Sequence, residues 1–313
     1  MNRKFAFVFP GQGSQSVGML AELTAEFPIV QQTFAEASEA LGYDLWQLIA
    51  QGPESDLNET HRTQPALLTA SVAVFRLWQQ QQGAAPVYLA GHSLGEYSAL
   101  VCAGALSLAD AVKLVELRGR YMQAAVPAGT GAMSAIIGLD DALIQKACQE
   151  AAQQEVVSPV NFNSPGQVVI AGHKAAVERA GELCKAYGAK RALPLPVSVP
   201  SHCALMLPAA EQLKTDLAAL NFHPTVIPVL NNVDVAVENT QDAIKDALVR
   251  QLYSPVRWTE SIEWLAAQGV TDVIEMGAGK VLAGLIKRID KDLATSSVYD
   301  PASLQAALTA ANQ

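Results

Sequence analysis

Pro86-Val87-Tyr88-Leu89-Ala90-Gly91-His92-Ser93-Leu94-Gly95-Glu96-Tyr97-Ser98-Ala99-Leu100-Val101-Cys102-Ala103 runs from a short apolar segment through a glycine-flanked serine into a helix-like segment. A strand that turns this sharply into a helix lifts the serine hydroxyl clear of the backbone. The Leu94 N–H and the helix N-terminus then lie where a tetrahedral oxyanion would form. Gly91 and Gly95 suit the flanks, because a side chain at either would strike neighbouring elements. The G-x-S-x-G spacing also admits a plainer reading, a strand–turn–helix connection with an incidental serine. A strand before it and a helix after it favour a nucleophile at Ser93.

Outward from this turn, strand-like and helix-like segments alternate, the pattern of a layered α/β protein with a mainly parallel sheet. Residues 5–9 read as a strand followed by the loop Gly11-Gln12-Gly13-Ser14-Gln15, and 28–41 and 65–82 read as helices. Pro127-Ala128-Gly129-Thr130-Gly131 breaks the rhythm. Past it come strand 132–138, helix 140–152, strands 156–163 and 167–172 joined by Ser164-Pro165-Gly166, helix 174–187 and strand 189–197. That order is ferredoxin-like. The alternation then resumes: helix 204–220, strand 226–234, helices 240–253 and 258–269, strand 270–276 and helix 279–289. The expected fold class is α/β: a large α/β-hydrolase-like domain, residues 1–127 and 201–313, with a mainly parallel sheet. Inserted in it is a small ferredoxin-like βαββαβ domain, residues 128–200.

The chain has 313 residues, half of them apolar and 16% charged, enough to bury a large core. No run approaches the ~20 apolar residues of a membrane span, and the N-terminus reads as a buried strand rather than a signal peptide. Cys102, Cys148, Cys184 and Cys203 form no C-x-x-C pair, so reduced thiols and a cytoplasmic location are expected, with no metal site. The net charge of −9 argues against nucleic-acid binding.

A serine nucleophile needs a base, and the chain offers five histidines. The side chain of His92, beside the serine, points away from the hydroxyl in such a turn. His61 reads as surface, His173 as a helix cap and His223 as a loop residue. His202, in Val197-Ser198-Val199-Pro200-Ser201-His202-Cys203, sits where the insert returns the chain to the large domain, and clefts between domains commonly hold small-molecule sites. Asp140 is placed as a third triad member would be, but it also fits a helix N-terminus, so a dyad is the expectation.

In Asp110-Ala111-Val112-Lys113-Leu114-Val115-Glu116-Leu117-Arg118-Gly119-Arg120-Tyr121-Met122, Arg118 falls on the apolar stripe. An inward arginine needs an anionic partner or stays badly desolvated. Two readings stand: a bidentate clamp for a substrate carboxylate, or a side chain that snorkels out or pairs with an internal acid. The Gly11–Gln15 loop lacks the third glycine of a dinucleotide loop. It better supplies the Gln12 N–H as a second oxyanion donor beside Leu94.

Phe9-Pro10-Gly11-Gln12-Gly13-Ser14-Gln15, Gly91-His92-Ser93-Leu94-Gly95-Glu96, Arg118, Asn161-Phe162-Asn163-Ser164-Pro165-Gly166-Gln167 and Val199-Pro200-Ser201-His202 together resemble the malonyl-CoA:acyl carrier protein transacylases of bacterial fatty-acid synthesis, over essentially the whole chain. The resemblance implies Ser93 as the acylated nucleophile, His202 as base, Leu94 and Gln12 as oxyanion donors and Arg118 as the malonyl carboxylate site. It also implies that the backbone carbonyl of Gln251 accepts the histidine's other N–H. The implied partners are malonyl-CoA and the phosphopantetheine arm of acyl carrier protein, with no cofactor. Val-Pro-Ser before the histidine departs from the specificity signatures of polyketide-synthase domains. Two other classes stay open: a serine esterase or thioesterase using Asp140, and a non-catalytic acyl-binding scaffold. An acidic carrier meeting an acidic chain needs a local basic patch, and Lys190-Arg191 or Lys280, Lys287 and Arg288 could supply it.

Overall fold

The computed structural model describes residues 3–197 and 199–312. The first half holds β1 (Phe5–Phe9), α1 (Ala21–Glu26), α2 (Pro28–Leu41), α3 (Leu45–Gln51), α4 (Glu54–Leu57), α5 (Thr60–Gln80), β2 (Tyr88–Gly91), α6 (Leu94–Cys102) and α7 (Leu108–Ala124). A second unit follows: β3 (Gly131–Ile137), α8 (Asp141–Ala152), β4 (Val157–Ser164), β5 (Gln167–His173), α9 (Lys174–Ala186) and β6 (Arg191–Pro194). A 3-10 turn, Ala204–Met206, leads into α10 (Leu207–Ala219). The chain ends with β7 (Val229–Leu230), α11 (Gln241–Gln251), α12 (Trp258–Ala267), β8 (Asp272–Met276), α13 (Val281–Ile289), β9 (Ala294–Val298) and α14 (Pro301–Ala311).

β1 alternates faces at the period of two that a strand imposes. Phe5, Phe7 and Phe9 enter one apolar cluster, while Ala6 and Val8 enter the other. Helices therefore cover both faces of the five-stranded sheet, ordered β7-β2-β1-β8-β9 with every neighbouring pair parallel. In register, Phe9 lies opposite Gly91. The loops after β1, β2 and β7 consequently emerge side by side at the carboxyl edge of the sheet, where open α/β sheets bind ligands.

The second sheet is antiparallel and ordered β4-β5-β3-β6, the ferredoxin-like arrangement expected. One face packs on α8 and α9 through Ile136, Ile144, Cys148, Val168, Ile170, Val177 and Cys184. On the other, Met133, Val160, Val169 and Ala171 cluster with Cys203, beside His202. β4 also reaches the large sheet's unit directly, with the Phe162 N–H donating to Val256 O at 3.0 Å and the Val256 N–H to Val160 O at 2.8 Å.

Several elements differ from the expectation. The helix read as 65–82 starts at Thr60, because burial of its flank from Thr60 to Trp78 outweighs the donor that Pro65 lacks. The strand read as 189–197 ends at Pro194, since Pro194 and Pro196 cannot donate to a ladder, and Ser198 lies outside the described residues. The strand read as 226–234 shrinks to two residues: Val226 is exposed, and the Asn231 N–H turns back to Ala236 O at 2.9 Å. β9 and α14, beyond the last element read from sequence, complete the sheet. Among the described residues no helix is long and apolar enough to cross a membrane. All four cysteines are unpaired, and Cys102 is half-buried.

Candidate active site

The turn between β2 and α6 is as tight as its glycines imply. A Cβ on Gly91 would overlap the Gly95 backbone, and one on Gly95 would overlap the Phe9 carbonyl. Ser93, between them, sits at φ 51° and ψ −106°, a conformation costing a non-glycine residue on the order of 1–3 kcal/mol. That cost leaves the hydroxyl facing the carboxyl edge of the sheet.

His202 meets it there. The Ser93 hydroxyl donates to His202 Nε2 at 2.8 Å, and His202 Nδ1 donates to the Gln251 carbonyl at 2.7 Å. His202 too has a positive φ, 64°, held by its own N–H donating to Leu252 O at 3.0 Å. Two successive carbonyls at the end of α11 thus fix the ring and its tautomer. Burial first, then the charge of Arg118, pulls the imidazole down to about 3, so it is neutral and able to accept a proton at neutral pH.

Arg118 reaches the serine from α7. Its Nη2 donates to Ser93 Oγ at 3.2 Å and to Gln251 Oε1 at 3.0 Å, while Nη1 donates to Gln64 Oε1 at 2.8 Å. Its Nε is buried without a partner. None of the ion pairs among the described residues includes Arg118. The guanidinium is 1% exposed and lacks a carboxylate counter-ion, an arrangement that suits an incoming anion. The polar face read as Lys113, Glu116, Arg120 and Gln123 is exposed at Lys113, Arg120 and Gln123, while Glu116 is half-buried and paired with Arg120.

Of the two oxyanion candidates, Leu94 follows the serine and Gln12 lies in the loop after β1. Among the described residues neither the Leu94 N–H nor the Gln12 N–H donates to a backbone or side-chain acceptor. Gly11 presses so closely on the His92 carbonyl that a Cβ would collide with it, which brings the loop after β1 against the turn.

The other candidates fall elsewhere. His92 Nε2 contacts Asn163 Oδ1 at 2.8 Å, and its ring packs on Trp258, tying the turn to β4. His173 occupies the cap position of α9 without capping it, its Nδ1 accepting from the Val156 N–H at 2.9 Å. His61 is half-buried rather than surface, paired with Gln123 Oε1 at 2.9 Å, and His223 is exposed. Asp140 caps α8, accepting from the Ala142 N–H at 2.9 Å. An acid triad therefore has no acid.

Four groups beyond the sequence reading enter the site. Gln64 carries Arg118. The side chain of Gln251, known in advance only for its carbonyl, donates from Nε2 to Ser93 O at 3.1 Å and to Glu96 Oε2 at 2.8 Å. Glu96 is 2% exposed, and burial pushes its carboxyl up to about 7. Asn232 bonds the turn itself. A lone acid in an apolar helix was the available signal for Glu96, and a polar pair closing a strand was the one for Asn232. A cavity of about 1300 Å³ lies apart, along α9 and β6, and takes in none of these residues.

The Acyl transferase domain family matches residues 6–300. The malonyl CoA-acyl carrier protein transacylase of Escherichia coli K12 is 68% identical over 97% of this chain and 99% of its own. That of Bacillus subtilis 168 is 49% identical over 97% and 96%. Among solved structures, a Vibrio cholerae acyl carrier protein S-malonyltransferase is 69% identical, with a TM-score of 0.95 over 97% of this chain and 99% of its own. A malonyl-transacylase in complex with its type II PKS acyl-carrier protein is 63% identical, with a TM-score of 0.97 over 98% and 99%. With these matches over nearly the whole length of both chains, the chain belongs to the malonyl CoA-acyl carrier protein transacylase family.

Proposed function

We propose that this enzyme moves the malonyl group of malonyl-CoA to the phosphopantetheine thiol of acyl carrier protein through a malonyl ester on Ser93. The observation that carries the reading is Ser93 Oγ held between His202 Nε2 at 2.8 Å and Arg118 Nη2 at 3.2 Å. His202 takes the hydroxyl proton as Oγ attacks the thioester carbonyl. The developing oxyanion is met by the Leu94 and Gln12 N–H groups. The C–S bond breaks, CoA leaves as the thiol with the proton from His202, and the ester remains. The carrier's thiol then gives its proton to His202, attacks the ester and returns the serine hydroxyl. Transfer between sulfur and oxygen esters is close to balanced in energy, so it runs both ways.

Arg118 gives the step its preference. A malonyl carboxylate on the guanidinium supplies the missing counter-ion and offsets the charge that depresses His202, so the acyl group being selected also strengthens the base. Residues 1–127 with 201–313 form the domain carrying Ser93, His202 and Arg118, and 128–200 form the smaller one roofing it; the two separate sheets support this division.

The test is a chase. Radiolabelled malonyl-CoA is expected to label Ser93 and the label to pass to carrier thiol. Release of free malonate would instead make the enzyme a hydrolase, and no label would make Ser93 a turn residue.

A further inference from the structure

The main chain of Ser93 is held by a residue from a strand end 139 positions away. Asn232 Oδ1 accepts from the Ser93 N–H at 2.7 Å, and Asn232 Nδ2 donates to the Gly91 carbonyl at 2.7 Å. One carboxamide therefore spans the turn, bonding the backbone on both sides of His92. The clamp is itself anchored, since the Asn232 N–H donates to Glu96 Oε2 at 2.9 Å. Glu96 stands one helical turn beyond Ser93 and takes a second bond from Gln251 Nε2 at 2.8 Å. Asn232 is 1% exposed, so both amide bonds are shielded from water. The Ser93 carbonyl is held by Gln251 Nε2 at 3.1 Å. With both backbone polar groups of Ser93 occupied, only its hydroxyl is left for chemistry.

The local backbone bonds of the turn, Gly95 N–H to His92 O at 2.9 Å and Glu96 N–H to Ser93 O at 3.0 Å, leave the Ser93 N–H and the Gly91 carbonyl to Asn232. Ser93 is the N-cap of α6, yet its side chain makes no capping bond, because the hydroxyl is turned toward His202. A positive-φ serine relaxes unless its surroundings hold it. Gly91 and Gly95 permit the turn, and the Gly95 N–H closes it onto the His92 carbonyl without holding the Ser93 N–H.

We propose that Asn232 is a positioning residue that locks the strained backbone of Ser93 in the reactive geometry by bonding the Ser93 N–H and the Gly91 carbonyl at once. The inference rests on the reading of Ser93 as the acylated nucleophile. Its signature is a loss in acylation rate without a loss in substrate affinity, since Arg118 and the crevice are untouched.

Two full-length variants test it. Asn232→Ala removes both bonds and is expected to slow Ser93 acylation by malonyl-CoA on the order of 100-fold, with KM within about two-fold. In Asn232→Asp the ionised carboxylate loses the donor to Gly91, whereas the protonated acid presents one acceptor and one donor as the amide does. Its acylation rate relative to the parent enzyme is therefore expected to climb toward unity as pH falls. The ratio to the parent removes the common contributions of His92, Glu96, Arg118, His202, Asp234 and Arg257, the ionisable groups around the clamp. An Asn232→Ala protein with parental kcat, or one whose loss lies wholly in KM, would overturn the proposal. So would an Asn232→Asp ratio that ignores pH, which decides the matter alone if the alanine variant does not fold. Failure of the parent enzyme to take up label at Ser93 would overturn the nucleophile reading instead, a result distinguishable from either.

Discussion

The carboxyl edge of the parallel sheet and the small antiparallel sheet are built from the same chain on opposite terms. At the edge, Ser93 and His202 both hold positive φ angles, and Glu96, Arg118, Asn232 and Gln251 are buried together. Around α8, α9 and the small sheet the side chains packed on the helices are aliphatic and sulfur, the buried polar ones being the small Ser134, Asn163 and Ser164, and charge is left to the surface. Parallel strands end in adjacent loops that can crowd polar groups against one another, whereas neighbouring strands of an antiparallel sheet run in opposite directions and share no such edge. The large unit stores strain to position chemistry. The small one meets that edge through Asn163 bonded to His92, and one of its faces clusters with Cys203, beside His202.

Removing the guanidinium breaks the contrast most severely. Arg118→Ala is expected to cut malonyl transfer by about 10²–10³-fold, the equivalent of about 3–4 kcal/mol for a lost buried charge pair. Acetyl transfer is expected to be spared or improved; equal losses with both acyl-CoAs would make Arg118 structural.

Paired glycine substitutions sharpen it. Gly95→Ala puts a methyl into the Phe9 carbonyl and is expected to abolish acylation and destabilise by about 3 kcal/mol or more. Gly181→Ala in α9 meets only the Ala192 side chain at 3.6 Å and is expected to stabilise by up to about 1 kcal/mol with activity intact. Thermal unfolding alongside acylation rates distinguishes the two.

Titration reads the electrostatics of the edge. His202 is lowered in the folded enzyme, so its basic form persists far below the ordinary histidine midpoint of about 6.5. Inactivation of Ser93 by a neutral sulfonyl fluoride should accordingly hold its rate down through pH 6.5 and fail only well on the acid side. In Arg118→Gln the midpoint is expected to move up, because one of the charges that lower it is gone. A midpoint near 6.5 that persists in Glu96→Gln would contradict the buried setting, since in the parent enzyme the Glu96 carboxyl itself titrates at about 7. The same group sets a stability slope: with a folded pKa below the unfolded one, its contribution is full above about 6.5 and is lost as pH falls toward 3.

The smallest effect belongs to the surface. Reversing Lys287 and Arg288, the basic last turn of α13, is expected to raise the KM for carrier about 3–10-fold at low salt and leave that for malonyl-CoA alone. Arg288 also donates to Gln167 at 2.6 Å, so Lys287→Glu alone is the cleaner variant. An unchanged carrier KM removes this patch.

Much of this was legible because it is local. Gly91 through Glu96 carries its own turn, and the period of α7 turned Arg118 inward without knowledge of any partner. His202 emerged from where its segment lies between units, a weaker signal than a motif. Contacts made across long stretches of chain were invisible: Asn232 to Ser93, Gln64 to Arg118, Glu96 to Gln251. The carbonyl of Gln251 has no sequence signature at all, since every residue owns one; only resemblance pointed to it. β7 reads too long in the sequence because Thr225, Val226, Ile227 and Val233 are β-branched residues placed outside the strand. His61 was misjudged because the polar residues around it hid its packing against Gly119.

The most direct measurement is a crystal structure of the enzyme after reaction with malonyl-CoA. The account predicts an ester on Ser93, its carbonyl oxygen between the Leu94 and Gln12 N–H groups and its free carboxylate on the Arg118 guanidinium. A malonyl group held at another residue, or one on Ser93 whose carboxylate turns away from Arg118, would contradict it.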